Sequence, residues 1–272
     1  MSRGAISSLI APHLDLPTLV SIASWTEWDG LELRVAPLAK SGEIGFWGTS
    51  LPTIDEDAVA ESTRHAVRDV RDGGLDVASL STYVPLSDRG RALAVLRAAH
   101  DTEVPAVRLQ PGPFVPLDER RRRLAVLAAD ARTLGVKILL ETHFGTQLAS
   151  ASAARLMVEG TDPTTIGVIL DTGNLLVEGY EDWTVATEVL GEYLHAVHVK
   201  NVQTGRLTPS GREYSWSSLR GGDLDLEAVL ETVMRTADPE WIVVEDLSDP
   251  IWTVERSREW RQLFATTGAA PI

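Results

Sequence analysis

Four polar residues stand at or near the ends of apolar runs, and their types suit the binding of a metal ion. They are Glu141 in "GVKILLE", Asp171 in "TIGVILD", His198 in "LHAVHVK" and Glu245 in "WIVVEDL". Each run is typical of a buried strand, on which side chains alternate between two faces. In each run the polar residue therefore shares a face with the apolar residue two positions earlier. If those faces point into one barrel, the four side chains converge at its mouth.

Three carboxylates crowded together need protons or a cation, because like charges at short distance repel each other. A divalent metal ion is the simplest such cation. Three carboxylates with one imidazole form a mostly hard ligand set, which favours Mn²⁺ or Mg²⁺, suits Co²⁺ and leaves catalytic Zn²⁺ open. Taken singly, each acid could instead be a helix cap, an ion-pair partner or a solvated strand end. Their equivalent positions on successive strands favour a metal site, and we predict one.

Eight β-rich runs alternate with longer helical patterns along the chain. The runs are "GAISSLI", "GLELRV", "LDVASLS", "VPAVRLQ", "GVKILLE", "TIGVILD", "LHAVHVK" and "WIVVEDL". Strict alternation indicates right-handed βαβ units, and eight of them close into a (β/α)8 TIM barrel of roughly 250 residues. An open doubly wound sheet is the competing architecture, but no glycine-rich phosphate turn follows the first run. We therefore predict a single α/β barrel domain over residues 1–272.

The pattern "LDERRRRLAVLAADARTLG" illustrates the predicted helices. We expect Asp118 to be its N-cap and Gly135 to end it.

Composition and charge narrow the range of partners. The 272 residues are 44% hydrophobic, enough to bury a full core, and the formal net charge is -14. A field of that sign repels phosphate backbones and anionic membrane surfaces, so we expect a small-molecule partner, with no nucleic acid and no membrane. Cysteine is absent, which excludes disulfides and thiolate metal sites. No run approaches the roughly 20 apolar residues of a membrane span. We expect a soluble cytoplasmic protein and leave a homo-oligomer open.

Two connections after predicted strands are long, at roughly residues 36–54 and 201–222. In a barrel such connections lie on the C-terminal face, where active sites are built. Trp47, Tyr214 and Trp216 lie on them. These aromatic side chains either hold the loops against the barrel or contact a ligand, and the sequence leaves both open.

Several short stretches, in order and at suitable spacing, resemble the xylose isomerase-like TIM barrels, which comprise sugar isomerases, epimerases, related dehydratases and the endonuclease IV group. The stretches are "ILLETH", "GVILDTGN", "HAVHVKN", "GGDLDLEAVL" and "WIVVED", across roughly residues 100–250, with looser agreement at "WDGLELR". The resemblance implies that Glu141, Asp171, His198 and Glu245 are the divalent metal ligands. It also implies that Glu141 and Glu245 flank the substrate as proton-transfer groups.

Two residues depart from the pattern of that family. Asn174 stands where well-studied sugar epimerases of the family have a histidine, and Asn201 stands where many members have an aspartate after "HVK". Both fall at the expected mouth of the barrel, and we expect Asn174 to lie near the substrate. These departures leave the identity of the substrate and the type of reaction open. Endonuclease IV relatives need several further histidines for three metals, and this chain has six histidines, two of them on predicted helices. That function is therefore excluded.

We expect a sugar or sugar phosphate isomerase or epimerase. The metal would chelate a carbonyl and an adjacent hydroxyl of a small polyhydroxylated substrate and stabilise an enediolate. One glutamate takes a proton; its return from the opposite side inverts the carbon, whereas its return to the neighbouring carbon isomerises the sugar. Because coordination weakens a carboxylate as a base, His143 and Lys200, which we expect to contact the substrate, are the alternative proton-transfer groups. Equally, they could be a hydrogen-bonding histidine and a lysine paired with an acid.

Other polar residues could contact the substrate. Glu32 and Arg34 share a face of the second strand, Ser81 and Tyr83 of the third, and Arg108 and Gln110 of the fourth, although an internal Glu–Arg pair is the structural alternative. Arg206 belongs to a local excess of basic residues that could hold a phosphate or carboxylate, or could lie on a solvated loop. His195 points away from His198 and is expected to pack against the helices.

Two other functions stay open. A lyase on the same scaffold, dehydrating an inosose or dehydroshikimate-like substrate, begins with the same proton abstraction and differs in what leaves. A noncatalytic sugar-binding protein is the alternative of another class. Asn174 gives it some support, but the complete set of four ligands argues against it.

Overall fold

Eight parallel strands close into a barrel. The computed structural model describes residues 2–39 and 42–266. Its strands are β1 (Arg3–Ser7), β2 (Gly30–Ala36), β3 (Ile54–Asp55), β4 (Asp76–Pro85), β5 (Ala106–Gln110), β6 (Lys137–Glu141), β7 (Ile166–Asp171), β8 (Leu194–Val199), β9 (Asn201–Thr208), β10 (Gly211–Ser217) and β11 (Trp241–Val244). The barrel runs in the order β1, β2, β4, β5, β6, β7, β8 and β11, and β11 pairs with β1 to close it. The predicted barrel is confirmed, and the open sheet is excluded.

Helices follow the strands and cover the outside of the barrel. The α-helices are α1 (Leu16–Trp25), α2 (Val59–Asp72), α3 (Arg89–Asp101), α4 (Leu117–Leu134), α5 (Ala151–Val158), α6 (Thr172–Glu178), α7 (Trp183–Leu190), α8 (Leu226–Thr236) and α9 (Val254–Thr266), with short 3-10 helices at Ser8–Ile10, Glu56–Ala58 and Gly191–Tyr193. A large cluster of buried aliphatic residues fills the layer between strands and helices. Within the described ranges, no helix is both long enough and apolar enough to span a bilayer.

The ends of α4 test the predicted helix signals. Gly135 ends the helix with a φ of 65°, the left-handed conformation that favours glycine. Asp118 is not the N-cap, because the carbonyl of Pro116 already accepts the backbone N–H of Arg120 and the helix begins at Leu117. The Asp118 carboxylate lies in the first turn instead, where its negative charge interacts favourably with the positive end of the helix dipole.

The floor of the barrel is filled by a large aromatic residue among small ones. Trp241, at the start of β11, is buried inside the barrel in a second cluster that includes Ala5 and Ala196. A Cβ added at Gly30 would lie 3.0 Å from the Trp241 ring and 2.6 Å from the Asp76 carbonyl oxygen. Glycine is therefore required there, and the barrel interior below the polar strand ends is closely packed.

The long connection after β8 is not a loop but an antiparallel hairpin of β9 and β10. Phe144, Tyr214 and Trp216 pack edge to face, with ring centroids 5.1 Å apart for the first two and 5.3 Å for the last two. These aromatics hold the hairpin against the loop after β6, as one of the two alternatives predicted. Trp47, by contrast, is 63% exposed at the mouth of the barrel. Residues 40 and 41 of the other long connection lie outside the described residues.

Parity predicted that His195 faces the helix layer, but it does not, because the β7–β8 register shifts at this residue. A Cβ added at Gly167 would lie 2.9 Å from the Cβ of His195 and 2.9 Å from Leu139, which belongs to the cluster inside the barrel. His195 is buried, and burial together with the nearby Lys137 lowers the pKa of His195 to about 3. Glu240 Oε2 lies 3.5 Å from Nδ1, but half of that side chain is exposed, so solvent screens its charge.

This lowered pKa predicts a loss of stability in acid. The unfolded chain protonates His195 below about pH 6.5, whereas the folded protein keeps it neutral until about pH 3. From about pH 7.5 to about pH 5, we expect the free energy of unfolding to fall by about 2 kcal/mol more in the wild type than in His195→Gln. Urea titrations at both pH values measure the difference, and equal pH dependence of the two proteins would contradict the assignment.

Candidate metal centre

Four side chains from adjacent strands meet at the C-terminal end of the barrel. The parallel register sets Asp171 of β7 beside His198 of β8, with Val243 of β11 on the other side of His198 and Glu245 two residues further on. Glu141 ends β6, next to β7. One potential ligand atom from each of the four lies within 4.8 Å of the others, and all four side chains are buried. The sequence-predicted convergence is thus present.

His198 has one nitrogen bound by the protein and one turned to the acids. Its Nε2 lies 3.2 Å from Oε2 of Glu32, an oxygen that also accepts a hydrogen bond from Ser79 Oγ at 2.8 Å. Its Nδ1 lies 3.4 Å from Glu141 Oε1 and 3.6 Å from Glu245 Oε2. These separations exceed good hydrogen-bond lengths, and this buried nitrogen has no hydrogen-bond partner within the described ranges.

Asp171 caps a helix with one carboxylate oxygen and contributes the other to the cluster of four side chains. Its Oδ1 accepts the backbone N–H of Asn174 at 2.7 Å, so it is the N-cap of α6, while Oδ2 faces His198 Nδ1 at 3.9 Å. Burial raises the pKa of Asp171 to about 8; Lys200 opposes the shift and Glu141 adds to it. At neutral pH a proton therefore stays on this group unless another cation takes its place.

Two cations from the barrel hold the glutamates. Lys200 Nζ lies 2.6 Å from Glu245 Oε2 and 2.8 Å from Asp171 Oδ2, and Arg108 pairs directly with Glu141. Burial is the largest single effect and raises the pKa of each glutamate, but the nearby cations together outweigh it. Arg108, His198 and Lys200 act on Glu141, and Lys200 and His198 act on Glu245, so both pKa values end below the ordinary range. Both glutamates are therefore ionised and weak as bases. Lys200 is paired with acids, which was one of its two predicted roles.

The chemistry of the four residues fits a divalent metal ion. Three buried carboxylates and an imidazole nitrogen without a hydrogen-bond partner surround one point, and Glu32 fixes the ring of His198 from its other nitrogen, the usual arrangement of a metal-bound histidine. Several divalent ions suit this mostly hard donor set, so the choice of Mn²⁺ or Mg²⁺ stays a prediction.

A cavity of about 430 Å³, including its open mouth, lies above the cluster. Its lining is Leu9, Arg34, Trp47, Ser81, Tyr83, Arg108, Gln110, Glu141, His143, Lys200 and Glu245. Three of the predicted substrate-binding residues, Gln110, His143 and Lys200, are among them. The remaining two, Asn174 and Arg206, are not.

Asn174 and Arg206 lie elsewhere for different reasons. Asn174 is buried beneath the cluster, where its Nδ2 donates to Glu141 Oε1 at 3.4 Å and to the Thr142 carbonyl at 3.2 Å, so it orients a glutamate. Arg206 is exposed on β9, which the hairpin carries away from the barrel axis. Asn201, the other departure from the family pattern, ties the hairpin down: its Nδ2 donates to the carbonyls of Leu219 and Leu224.

His143 offers an acid–base group in the cavity. Its Nδ1 lies 2.8 Å from the carbonyl oxygen of Phe144. A carbonyl oxygen only accepts, so Nδ1 carries the proton and Nε2 is the basic nitrogen of the neutral ring. Half-buried and lining the cavity, His143 is placed to exchange a proton with a bound molecule.

Glu32 is the functional residue whose role sequence reasoning missed. Its inward position on β2 was visible from strand parity, but the pattern offered a substrate contact or a pair with Arg34, not a partner for His198. We expect Glu32→Gln to weaken Mn²⁺ binding by about 10- to 100-fold, because a neutral amide accepts the outer hydrogen bond of a metal-bound histidine more weakly than a carboxylate does. Calorimetric Mn²⁺ titration measures this. Ser79→Ala, which removes only the second hydrogen bond of Glu32, should have a smaller effect; an unchanged affinity in Glu32→Gln would contradict the role.

Comparison with known proteins gives a consistent family. The model of a family described as xylose isomerase-like TIM barrel matches residues 38–266. Inosose dehydratase of Lactiplantibacillus plantarum is 27% identical over 130 residues, and that of Halalkalibacterium halodurans is 28% identical over 130 residues. Each match covers 44% of this chain and 43% of the relative, so the chain matches less than half the length of these proteins.

Solved structures resemble the chain over nearly its whole length. A xylose isomerase domain protein from Planctomyces limnophilus aligns with a TM-score of 0.73 at 17% identity, covering 99% of this chain and 98% of the other. The IOLI protein with a bound zinc atom aligns at 0.71 and 15%, covering 99% of both chains. A probable 3-DHS dehydratase from Bacillus anthracis aligns at 0.68 and 15%, covering 98% of this chain and 99% of the other. At these identities the likeness establishes the fold.

Proposed function

The chain belongs to the xylose isomerase-like TIM barrel family, and on that premise we propose that it is a divalent-metal-dependent enzyme acting on a small polyhydroxylated ketone or aldehyde. The proposal depends on one observation. Three buried carboxylates and an imidazole meet at the base of a cavity that is also lined by His143 and Lys200.

Glu141, Asp171, His198 and Glu245 would hold the ion, with Mn²⁺ or Mg²⁺ favoured and Co²⁺ or Zn²⁺ as the other candidates. When bound, a divalent ion supplies positive charge that polarises a substrate carbonyl and acidifies the neighbouring C–H. The chain supplies the rest: Asn174 and Arg108 orient Glu141, Glu32 orients His198, and the closed floor of the barrel keeps bulk water to one side.

We propose dehydration as the reaction. His143 takes the proton from the carbon beside the carbonyl and gives it to the hydroxyl that leaves from the next carbon, so that the products are water and an unsaturated ketone and the enzyme ends unchanged. One acid–base group suffices, which suits a site where Arg108 and Lys200 keep both glutamates ionised and weakly basic. The sequence similarity to inosose dehydratases favours the same reaction class.

An isomerase or epimerase is the second candidate, and one observation favours it. Glu141 and Glu245 both line the cavity, from strands that are separated by β7 and β8. Two carboxylates thus approach a bound molecule from different directions, which is the arrangement that proton removal on one side and return on the other requires.

Proton NMR in deuterated water separates these reactions. The Mn²⁺- or Mg²⁺-loaded chain is incubated with inososes and a panel of ketoses, with and without phosphate groups. Loss of a hydroxyl with appearance of a vinyl signal supports dehydration, whereas deuterium exchange without loss of a hydroxyl supports epimerisation or isomerisation. Tight binding with neither change would overturn the enzyme proposal in favour of a noncatalytic sugar-binding protein. His143→Gln, compared with wild type, tests the base: an unchanged rate would remove His143 from the mechanism.

A further inference from the structure

Arg34 differs from the other cations of the cavity in its partners. Arg108 is paired with Glu141, and Lys200 is paired with Glu245. Among the residues that the structure describes, no carboxylate lies within ion-pair distance of Arg34. Its side chain nevertheless lines the cavity and is only 9% exposed. A nearly buried guanidinium without a counter-ion is unfavourable, since a buried charge needs a partner to offset the loss of water.

The geometry leaves one edge of this guanidinium free. Nη1 donates to the carbonyl oxygen of Phe46 at 3.0 Å, and Nε is buried without a hydrogen-bond partner within the described ranges. The group lies over the ring of Tyr83, 5.4 Å from its centroid, and Arg108 lies 5.5 Å from the same centroid. The backbone carbonyl and the aromatic ring therefore hold Arg34 in place. Nε is enclosed by the protein, whereas Nη2 is not among the enclosed polar atoms, so the Nη2 edge is the one that a ligand in the cavity can reach.

We propose that Arg34 binds a carboxylate of the substrate, so that the enzyme acts on a carboxylate-bearing polyhydroxylated compound. This inference rests on the proposed function and names its substrate class. A guanidinium forms strong charge-assisted hydrogen bonds with a carboxylate, and at this site Nη2 would be the donor. Because Arg34 stands two residues beyond Glu32 on the inward face of β2, its edge faces a molecule that also lies over the metal cluster.

A carboxylate fits this site better than a phosphate does. Phosphate sites usually combine several donors, including backbone N–H groups at a helix N-terminus or glycine-rich turn. The residues that line this cavity include no glycine, and the free donor edge belongs to one side chain. The site therefore suits a singly charged planar group such as a carboxylate. Binding such a group does not require the basic residues around Arg206, which are exposed on the hairpin.

Calorimetry of the full chain in Mn²⁺ tests the proposal. Four ring-shaped probes are compared: quinate, which is a polyhydroxylated carboxylate, its neutral methyl ester, neutral myo-inositol and inositol 1-phosphate. We expect quinate to bind at least about tenfold more tightly than its ester, and Arg34→Gln to weaken quinate by about 10- to 100-fold while changing inositol by less than about twofold. Arg34→Lys should recover part of the affinity. Arg64→Gln, an exposed arginine of α2, is the charge-matched control and should behave as the wild type.

Several results would overturn the proposal. Quinate that fails to bind, or that binds no more tightly than its ester, removes the carboxylate preference. A preference that survives Arg34→Gln assigns the carboxylate to the metal or to Lys200 instead, and tighter binding of inositol phosphate than of quinate assigns a phosphate. Because these are binding measurements, they are independent of the NMR experiment: a chain that shows the Arg34-dependent preference but no chemistry refutes the enzyme proposal alone.

Discussion

Replacing Glu245 with glutamine should lower turnover by more than about 100-fold and empty most of the metal site. Loss of an outer hydrogen bond to a metal ligand already weakens affinity or activity by about 10- to 100-fold, so loss of a direct ligand should exceed that range. Glu245 also takes part in the charge balance with Lys200, and the neutral amide leaves that ammonium with Asp171 as its near partner. Metal content by elemental analysis and turnover on the substrate identified by NMR measure the two effects together.

The next residue in the chain gives a matched control. Asp246 is as deeply buried as Glu245, but it faces the other way, where its Oδ1 lies 2.9 Å from Arg256 and accepts hydrogen bonds from Ser248. Asp246→Asn should reduce stability and leave metal content near that of the wild type. If both variants lose the metal equally, general disruption of the strand end explains the result, and Glu245 is not specifically a ligand.

Replacing Lys200 with methionine should make the stability of the protein depend on divalent metal. Lys200 Nζ lies within 2.8 Å of Asp171 Oδ2 and Glu245 Oε2, and removing one partner of such a buried group of charges costs about 3 kcal/mol or more. A divalent ion replaces the missing positive charge, so Mn²⁺ should recover much of the loss. Thermal unfolding with and without Mn²⁺ measures the recovery.

Lys137→Met is the corresponding control at the opposite end of the barrel. Lys137 is half-buried, its pKa is lowered chiefly by burial, and it stands at the start of β6, at the opposite end of that strand from Glu141. Its replacement should change the unfolding temperature by the same amount with and without Mn²⁺. A Lys200→Met protein that is as stable as the wild type without metal, or that gains nothing from Mn²⁺, would show that the ammonium does not neutralise the cluster.

The alternation of strands and helices predicted the barrel, and strand parity predicted the meeting of the four polar residues. A strand with period two and a parallel register fixes which side chains share the mouth, and this held for Glu141, Asp171, His198 and Glu245. Their role as metal ligands stays a prediction. The identity of the ion also does, since three carboxylates and one imidazole accept several divalent metals.

Strand parity predicts which side chains share a face, but it does not predict which residues those side chains contact. Arg206 was grouped with a basic loop because nothing local revealed that residues 201–217 turn back as a hairpin. Asn174 looked like a mouth residue, but its place in the first turn of α6 directs its amide to Glu141. Glu32 and Arg34 looked like a pair on one strand, yet they contact His198 and the Phe46 carbonyl, which are distant in the chain.

The tryptophan at the base of the barrel closes that end, so the cavity opens at the mouth of the barrel. Among the described residues, Trp241 and its alanine neighbours are buried and packed together at this end, so a molecule in the cavity enters and leaves through the mouth. A bound molecule therefore has to leave the cavity before the next one can enter. For the proposed enzyme, departure past the exposed Trp47 at the mouth would therefore contribute to the limit on the turnover rate.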